Sequence, residues 1–524
     1  MAPCQADCAS GADVRGWIGA ISQRHRNGLS KEEAYESAWR ILTDVNPFPG
    51  ILGRVCPHPC EAGCNRGDKD GPVAINALER FLGDWAIDQG LLLEPIGPDR
   101  YEESVGVIGA GPSGLSFAYQ MARRGYQVTV YEQNPEPGGM LRYGVPNYRL
   151  PPSVLDAEIN RILDLGVELR SGVAVGVDLQ MDELRERHDI FYLGIGAQSG
   201  RLLDLPGEEG PGVLTGIGYL GRVNRGEAVD LGARVAVIGG GNTAIDAARV
   251  ARRAGAEVTI LYRRTRAEMP AVASEIDEAQ KEGVAIEYLA APSAIIRLDG
   301  AIRQVVVERM RLGEAEADGR RRPVPIPDSE FTIATDTIIA AVGQKPDYGV
   351  LEHLDVVELP APDSPELDPS TWAGGDVLGL DVAGAAISHG HRAATAAHAR
   401  LRGLDDDPPD VRRRIGSEEI ILDYKDPLAA AAGHHRSVVE ALANPGLEVV
   451  ETLTEEQFLT EIERCFSCGR CMGCASCWMY CTVGSFAAVG ASSPGEYFSM
   501  LLDQCEECGK CIEVCPCGYL EAVF

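Results

Sequence analysis

The sequence contains no uninterrupted apolar stretch near the roughly 20 residues that a membrane-spanning helix needs. Its first residues, MAPCQADCASGADVRGW, have no basic segment followed by an apolar one, which is the pattern of a secretory signal. We therefore expect no membrane span and a cytoplasmic location.

Positive charge is scarce. Lys and Arg number 48 against 78 Asp and Glu, which gives a formal net charge of −30. A negative field of this size repels phosphate backbones and anionic lipids, so nucleic acid and membrane surfaces are excluded as expected partners. The same field suits a basic protein partner.

Cysteine is absent from the long middle of the chain. Of sixteen cysteines, five lie between Cys4 and Cys64, and eleven lie between Cys465 and Cys517. In a chain without an export signal, clusters of this kind are typical of metal ligands rather than of disulfides.

The sequence also lacks a Ser–His–Asp arrangement and a paired-carboxylate motif. Redox chemistry needs neither, because bound cofactors carry that chemistry while the protein positions and tunes them. His389 and His391 lie near a predicted cofactor helix. Two roles are open to them: tuning of the bound cofactor and a structural role at the helix end. The structural role is favoured.

A first dinucleotide site is predicted at VGVIGAGPSG, where an apolar strand runs directly into Gly109, Gly111 and Gly114. The first glycine permits a tight turn, the second lets the backbone approach a pyrophosphate, and the third allows the next helix to pack closely. Glu132 ends the following strand, 23 positions after Gly109, where a carboxylate can accept ribose hydroxyl hydrogens.

Two further segments indicate that the first ligand is FAD. Gly138–Leu141 follow Glu132 in a loop suited to lie along a flavin. Far downstream, Gly374, Gly375 and Asp376 precede a helix that contains Ala386, whose positive end can face a flavin carbonyl. A simple turn at GGD is the alternative.

A second dinucleotide site repeats the arrangement in VAVIGGGNTAID, with Gly239, Gly241 and Ala244. Where the first site has its acid, this one has Tyr262 followed by Arg263 and Arg264. Arginine in place of a carboxylate suits a 2′-phosphate, so NADPH is favoured over NADH. Solvated surface arginines are the alternative.

The cysteine-rich tail fits the bacterial ferredoxin run C-x2-C-x2-C-x3-C twice, and in such runs the fourth cysteine ligates the other cluster. Zinc is the alternative for CxxC pairs, but two full runs in series argue against it. Cys465, Cys468 and Cys517 are left over, as spare thiols or as ligands in another register. One cluster is expected on Cys471, Cys474, Cys477 and Cys515, and the other on Cys481, Cys505, Cys508 and Cys511.

The predicted fold class is α/β, with two Rossmann-like dinucleotide-binding domains for FAD and NAD(P)H. An α-helical iron–sulfur domain precedes them and a ferredoxin-like 2[4Fe–4S] domain follows them. Several domains are expected because 524 residues are too many for one core. The predicted divisions are 1–98 (helical domain), 99–230 with 346–402 (FAD), 231–345 (NAD(P)H), 403–460 (linker with a short helix) and 461–524 (ferredoxin domain).

The paired sites, together with RVCPHPCEAGC, PGGMLRYGVPNYRLP, GGGNTAID and YRRTRAEMPA, resemble the glutamate synthase small subunit over about residues 45–400. The electron-entry half of dihydropyrimidine dehydrogenase shares the same plan. The resemblance implies an N-terminal helical domain that holds iron–sulfur clusters. The expected cofactor residues are Gly109, Gly111, Pro112, Ser113, Gly114, Glu132, Gly139, Met140, Leu141, Gly375, Asp376 and Ala386 for FAD, and Gly239, Gly241, Asn242, Thr243, Ala244, Arg263 and Arg264 for NAD(P).

The chain departs from this family at the N-terminal ligands, which in the family suffice for two clusters. Here only Cys4, Cys8, Cys56, Cys60 and Cys64 are present. One N-terminal cluster is therefore expected, held by four of these cysteines or by three with Glu79. With the two tail clusters, three [4Fe–4S] clusters are predicted.

The added tail resembles the flavoprotein subunits of 2-oxoacid:acceptor oxidoreductases. We therefore expect an NAD(P)H-dependent FAD and iron–sulfur oxidoreductase that works as a subunit in a hetero-oligomer. It would relay single electrons to or from a redox protein, with a 2-oxoacid oxidoreductase core as one candidate. The alternatives are a free-standing NADPH dehydrogenase and a non-catalytic redox sensor or scaffold.

Overall fold

The computed structural model describes residues 1–316, 319–347, 359, 361, 364–404, 413–489 and 494–521. The helices are α1 Pro3–Ala6, α2 Val14–Ser22, α3 Lys31–Thr43, α4 Pro49–Val55, α5 Pro59–Ala62, α6 Ile75–Asp88, α7 Pro112–Arg123, α8 Met140–Tyr143, α9 Pro152–Leu163, α10 Met181–Arg185, α11 Gly216–Asn224, α12 Asn242–Arg253, α13 Ala273–Lys281, α14 Ala383–Arg402, α15 Val438–Ala443, α16 Glu455–Ile462, α17 Ser476–Tyr480 and α18 Lys510–Glu513. The strands are β1 Ser104–Ile108, β2 Gln127–Glu132, β3 Glu168–Ser171, β4 Ile190–Leu193, β5 Ser199–Gly200, β6 Val213–Thr215, β7 Arg234–Ile238, β8 Glu257–Tyr262, β9 Ala285–Tyr288, β10 Ala290–Leu298, β11 Ala301–Ala315, β12 Arg321–Pro325, β13 Phe331–Ala334, β14 Thr337–Ala340, β15 Gln344–Lys345, β16 Glu366–Asp368, β17 Thr371–Ala373, β18 Phe486–Ala488 and β19 Phe498–Met500.

The first dinucleotide unit is built on a six-stranded sheet with the order β16-β17-β4-β1-β2-β3. β1 pairs in parallel with β2 and β4, and α7 packs on it. The last four residues of β1 are buried, as expected for a central parallel strand covered on both faces. The predicted strand–turn–helix–strand order is confirmed, and it brings the carboxyl ends of β1 and β2 to the N-terminus of α7.

The second unit has a five-stranded sheet, β6-β14-β7-β8-β9, in which α12 connects β7 to β8. All of its pairings are parallel. The strands β10 to β13 form a separate antiparallel sheet, and its Ile295, Val305 and Val307 pack in one core with Ile238 and Leu261. The repeat of the nucleotide-binding unit is thus confirmed.

The N-terminal helical part shares a hydrophobic core with the first sheet. Glu158, on α9, caps the N-terminus of α4 from outside: its carboxylate accepts from the backbone N–H of Gly50 (2.7 Å) and Ile51 (3.0 Å). α4 has no side-chain cap of its own, so this carboxylate supplies acceptors to donors that the helix leaves unpaired. The contact fixes the helical part on the FAD-type domain.

The stretch expected as a linker is packed, over its described part, against the second dinucleotide unit and the helical part. Ala441 and Val449 lie in the core of the second dinucleotide unit, and Leu453 and Phe458 lie in the core of the helical part. The Phe458 ring stacks on Phe81 with centroids 4.0 Å apart. These contacts bring the start of the cysteine-rich tail onto the helical part.

Candidate functional site

A cavity of about 400 Å³ lies at the carboxyl ends of β1 and β2. Every predicted FAD residue lines it except Gly114 and Leu141. Leu141 lines a neighbouring cavity instead, and Gly114 packs behind the turn. The site also includes a wall that the sequence did not predict, formed by the loop Val173–Val177 after β3. No turn or glycine motif distinguishes this loop, so only the fold places it here.

The three glycines of the first turn differ in what they accommodate. Gly109 has φ +100, and a Cβ there would lie 2.4 Å from the carbonyl oxygen of Gly194. A Cβ on Gly114 would lie 2.0 Å from the oxygen of Gly109. At Gly111, by contrast, the nearest atom to a Cβ is 3.9 Å away, on Gly139. The packing of the protein itself therefore does not require glycine at position 111. The space left by the absent side chain opens toward the cavity. This fits the close approach of a pyrophosphate.

Glu132 is buried at the end of β2. One carboxylate oxygen accepts from the N–H of Ala110 (2.9 Å), and the other accepts from the backbone N–H and side-chain amide of Asn134 (both 2.8 Å). A carboxylate has lone-pair positions beyond these three bonds, so it can also accept from ribose hydroxyls. This geometry fits a dinucleotide in the cavity.

The GGD segment lies on the opposite wall. The N–H of Gly375 donates to Nδ1 of His389 (3.1 Å), which therefore holds the turn in place. This bond supports the structural role for His389. Burial, with Arg124 next in effect, lowers the pKa of His391 to about 4, so that ring is neutral near pH 7. Burial also raises the pKa of Asp376.

The second cavity, of about 830 Å³, lies at the carboxyl end of the second parallel sheet. Every predicted NAD(P) residue lines it except Ala244, which is buried behind the turn. Gly241 matches Gly111, because the nearest atom to a Cβ there is 4.0 Å away, on Pro270. The N-terminus of α12 begins at this turn, as that of α7 does in the first site.

The residues that replace the acid have separate roles. Tyr262 packs its ring under Gly240 and donates its hydroxyl to the carbonyl of Glu268 (2.6 Å). Arg264 is buried: its guanidinium pairs with Glu316 (2.6 Å) and donates to the carbonyl of Arg321 (2.7 Å). Arg263 is exposed at the cavity wall. Of the two arginines, Arg263 is therefore placed to meet a ligand without giving up an internal ion pair.

The two cavities meet. Pro112, Met140, Asp376 and Ala386 line both of them. Two dinucleotides bound in this way would approach each other across these four residues. The sequence predicted all four as FAD residues, but not their contact with the second cavity.

Three of the N-terminal cysteines lie near Glu79. The pKa of Cys60 is raised by burial first and then by the neighbouring Cys8, Glu79 and Cys56. Burial raises the pKa of Glu79 to about 8, and its carboxylate accepts from Asn46 (2.8 Å). This places Cys8, Cys56 and Cys60 together with Glu79.

The tail brings Cys471, Cys474, Cys477 and Cys515 close together, and it also brings Cys505, Cys508 and Cys511 close together. Burial and then the neighbouring Cys471, Cys474 and Cys515 raise the pKa of Cys477 to about 11. All sixteen cysteines are free thiols, with no disulfide. In the second set, the pKa of Cys511 is raised by burial and by Cys505 and Cys508, whereas that of Cys481 is lowered by hydrogen bonds from the 483–485 segment.

No helix in the described part of the chain is both long and apolar enough to cross a bilayer.

Two family models match the chain. Residues 103–397 match the model described as pyridine nucleotide-disulphide oxidoreductase. Residues 1–91 match the model described as dihydropyrimidine dehydrogenase domain II, 4Fe-4S cluster. The two matches cover both dinucleotide units and the helical part.

Curated relatives match across most of the chain. The beta subunit of the NADP(+)-dependent formate dehydrogenase of Moorella thermoacetica is 39% identical over 76% of this chain and 60% of its own length. The beta subunit of the NADPH-Fe(3+) oxidoreductase of Geobacter sulfurreducens is 38% identical over 71% of this chain and 53% of its own. The glutamate synthase [NADPH] small chain of Azospirillum brasilense is 33% identical over 77% and 87%. The chain thus spans less than two thirds of the first two relatives but most of the third.

Among solved structures, FprA of Mycobacterium tuberculosis superposes with a TM-score of 0.50 at 19% identity, over 58% of this chain and 85% of that protein. This similarity concerns the fold alone. The sequence matches carry more: the predicted resemblance is confirmed, and the chain belongs to the pyridine nucleotide-disulphide oxidoreductase family, together with the glutamate synthase small chains.

Proposed function

We propose that this protein is an electron-transfer subunit that oxidises or reduces NADP(H) through FAD and relays single electrons through [4Fe–4S] clusters to or from a protein partner. The observation that carries the proposal is the junction of the two dinucleotide cavities at Pro112, Met140, Asp376 and Ala386. Hydride transfer requires the two reacting rings in contact, and ligands bound in cavities that share these four lining residues would lie next to each other.

The residues of the first cavity would hold FAD. The N-terminus of α7 offers backbone N–H groups and a positive dipole end to the pyrophosphate, and Gly111 lets the phosphates come close. Glu132 orients the adenosine ribose through its remaining lone pairs. When bound, FAD supplies the exchange between two-electron hydride chemistry and one-electron cluster chemistry.

The residues of the second cavity would hold NADP(H) in the same manner. The N-terminus of α12 and Gly241 receive the pyrophosphate, and Arg263 offers its guanidinium to the 2′-phosphate. The names of the relatives from Moorella and Geobacter include NADP(+) or NADPH, which supports this preference.

A protein partner is supported by the relatives, two of which are named beta subunits and one a small chain. We further propose a hetero-oligomer with a 2-oxoacid oxidoreductase core, because the cysteine-rich tail resembles the flavoprotein subunits attached to such enzymes. A cytoplasmic location is proposed from the sixteen free thiols, which a reducing compartment keeps available as ligands.

The test follows electrons inside the purified, anaerobic, full-length protein. Mixing with NADPH should bleach the flavin absorbance, and either NADPH should then reduce the clusters, seen by EPR, or dithionite-reduced clusters should convert NADP⁺ to NADPH. A Gly111→Ala variant without flavin should do neither, although dithionite should still reduce its clusters. Absence of electron exchange in both directions in the flavin-containing protein would overturn the proposal, and so would exchange in the flavin-free variant.

A further inference from the structure

Two cysteines of the tail lie away from the tail's own cluster runs. Cys465 and Cys468 directly follow α16, which packs on the helical part. The thiols of Cys465 and Cys64 are neighbours of the Cys468 thiol. These thiols therefore face the N-terminal part of the chain.

Hydrogen bonds hold the two distant segments against each other. Nδ2 of Asn65, the residue after Cys64, donates to Sγ of Cys468 (3.5 Å) and to the carbonyl of Ile415 (3.1 Å). Nη1 of Arg66 donates to the carbonyl of Arg464, the residue before Cys465 (2.7 Å). Nη1 of Arg15 donates to the carbonyl of Cys468 (3.1 Å). The segment around Cys64 and the segment around Cys465 and Cys468 are thus joined by hydrogen bonds. These bonds are made at Cys468 itself or at residues within two positions of Cys64 and Cys465.

Cys4 joins the same place. The carbonyl of Met1 accepts from the N–H of Ile415 (3.0 Å), and this bond sets α1 beside the segment that contacts Asn65. Cys4, Cys64 and Cys465 all pack against the same hydrophobic core. Burial raises the pKa of the Cys4 thiol well above its usual value, and the thiols that raise it further are, in order, Cys465, Cys468, Cys64 and Cys60.

We propose that Cys4, Cys64, Cys465 and Cys468 together ligate a further [4Fe–4S] cluster where the helical part meets the start of the tail. The tail would thereby supply two ligands that the N-terminal segment lacks. Cys8, Cys56 and Cys60, with Glu79, then form the ligand set of a separate N-terminal cluster, and the chain holds four clusters in place of three.

The donor set favours a cubane over a single ion. In the part of the chain that the structure describes, no three His, Cys, Asp or Glu side chains converge closely enough to bind one metal ion. Zinc needs such convergence because its four ligands surround one atom. A cubane presents four separate irons, one to each thiolate, so its ligands stand further apart.

Two cations lie near the tail thiols of this set. Arg15 is buried beside Cys468, and Arg15 and Lys425 both lower the pKa of Cys465 against the effect of burial. Burial lowers the pKa of Lys425, whose ammonium donates to the carbonyl of Glu463. An anionic thiolate-ligated cluster would add a favourable charge interaction to both cations, of which Arg15 also pairs with Asp13 (3.8 Å).

The test is the iron content of the anaerobically purified full chain. Wild-type protein should hold about 16 iron atoms and as many acid-labile sulfides, four in each of four cubanes. A Cys465→Ser/Cys468→Ser double variant should fall to about 12 and lose one EPR signal of the reduced protein. Cys4→Ser and Cys64→Ser should weaken that same signal, whereas Cys8→Ser should weaken a different one.

Ser467→Ala is the matched control. Ser467 stands between the two cysteines in the sequence, and its hydroxyl is buried and has no hydrogen-bond partner, so its loss removes no ligand. Iron content and all EPR signals should stay at wild-type values. Flavin content should be unchanged in every variant and shows that the FAD domain is folded. A wild-type iron content of about 12 would overturn the proposal whatever the variants do, and so would a double variant that keeps all of its iron.

Discussion

At the scale of single residues, the second glycine of each dinucleotide turn separates folding from binding. Gly111 and Gly241 have extended backbone (φ −81 and −90) and open space where a Cβ would stand. Alanine fits both positions in the protein alone, but its methyl group occupies the space that a pyrophosphate needs.

We therefore expect Gly111→Ala to fold normally and to retain at most about one tenth of the wild-type flavin per chain. Gly241→Ala should keep FAD and raise the Kd for NADPH by a similar factor. Flavin absorbance after gel filtration, NADPH titration and the Tm of the apoprotein measure these effects. Gly97→Ala, at a position with no neighbouring atom within 4 Å, is the control. Full flavin in Gly111→Ala would show that the pyrophosphate does not lie there.

Arg263 and Arg264 are predicted to behave differently, although they are adjacent. Arg263→Ala should lower kcat/KM for NADPH roughly tenfold or more and leave NADH unchanged, because one charge-assisted phosphate contact contributes about 1.5–3 kcal/mol. Arg264→Ala should instead lower Tm, since it leaves Glu316 without its buried partner. Steady-state kinetics with NADPH and with NADH measure kcat/KM for each cofactor. Equal losses for NADPH and NADH in Arg263→Ala would contradict a 2′-phosphate contact.

The sequence predicted the glycines and Glu132 because their requirements are local. A turn, a close approach and a carboxylate at the end of the next strand all follow from short spacings. It did not separate Arg263 from Arg264, because the partner of Arg264 is Glu316, 52 positions away. The Val173–Val177 wall was missed for the same reason.

At the scale of elements, Asp70 fastens the start of the tail to the helical part. Its carboxylate accepts from Arg66 (2.7 Å), from Arg464 (3.0 Å) and from the N–H of Leu428 (2.7 Å). The bond from Arg66 contributes most to lowering the pKa of Asp70 below its usual value. The ion pairs therefore stabilise the folded protein fully above the usual pKa of about 3.9, and this contribution is lost as the pH falls below it.

Asp70→Asn should lower the free energy of unfolding near pH 7 by about 1–3 kcal/mol, because Arg464 loses a charged partner in a buried setting. The loss relative to wild type should shrink as the pH falls toward 3. Denaturant unfolding at several pH values measures both effects. Asp68→Asn, exposed two residues earlier, is the control and should leave stability unchanged. A pH-independent difference would contradict the role of the ionised carboxylate.

The helices and parallel strands of both nucleotide units follow from local periodicity, and the structure confirms them. The course of residues 413–464 does not follow from any pattern in the sequence. Its charged, glycine-poor composition suggested a linker, yet Val449 and Phe458 are buried in two different cores. A few apolar residues at irregular spacing give no periodic signal, and only their distant partners define where they pack.

At the scale of the whole molecule, the net charge of −30 should set the salt dependence of electron exchange with small acceptors. Acidic side chains also lie beside the predicted tail ligands, where Glu506 and Glu507 are exposed between Cys505 and Cys508. Screening lengths shrink from about 30 Å at 0.01 M to about 8 Å at 0.15 M salt, so the field fades over this range.

We expect kcat/KM to rise with salt for ferricyanide, which is an anion. For hexaammineruthenium(III), a cation with the same magnitude of charge, we expect kcat/KM to fall. Both changes should be several-fold between these ionic strengths, and NADPH should be saturating throughout. A Glu506→Gln/Glu507→Gln variant should weaken both slopes if electrons leave at the tail. If kcat/KM changed with salt in the same direction for both acceptors, the result would contradict control of the rate by the protein's negative field.

The spacing of cysteines predicts which ones lie in the same run, but not which distant runs share a cluster. Cys465 and Cys468 were left over in the sequence because their neighbours, Cys4 and Cys64, precede them by most of the chain. The fold brings the four together through Asp70, Asn65 and Arg66, residues with no metal-binding character of their own.

The distance along the chain between these segments has a consequence for biosynthesis. Asn65 and Cys468 are 403 positions apart, and a ribosome adds roughly 5–20 residues per second. Cys4 and Cys64 thus emerge roughly 20–90 s before the thiols that face them are made. The proposed cluster could not be completed during early translation, because two of its four ligands would not yet exist. Assembly of the proposed cluster would therefore depend on a chain in which the start of the tail has already been made.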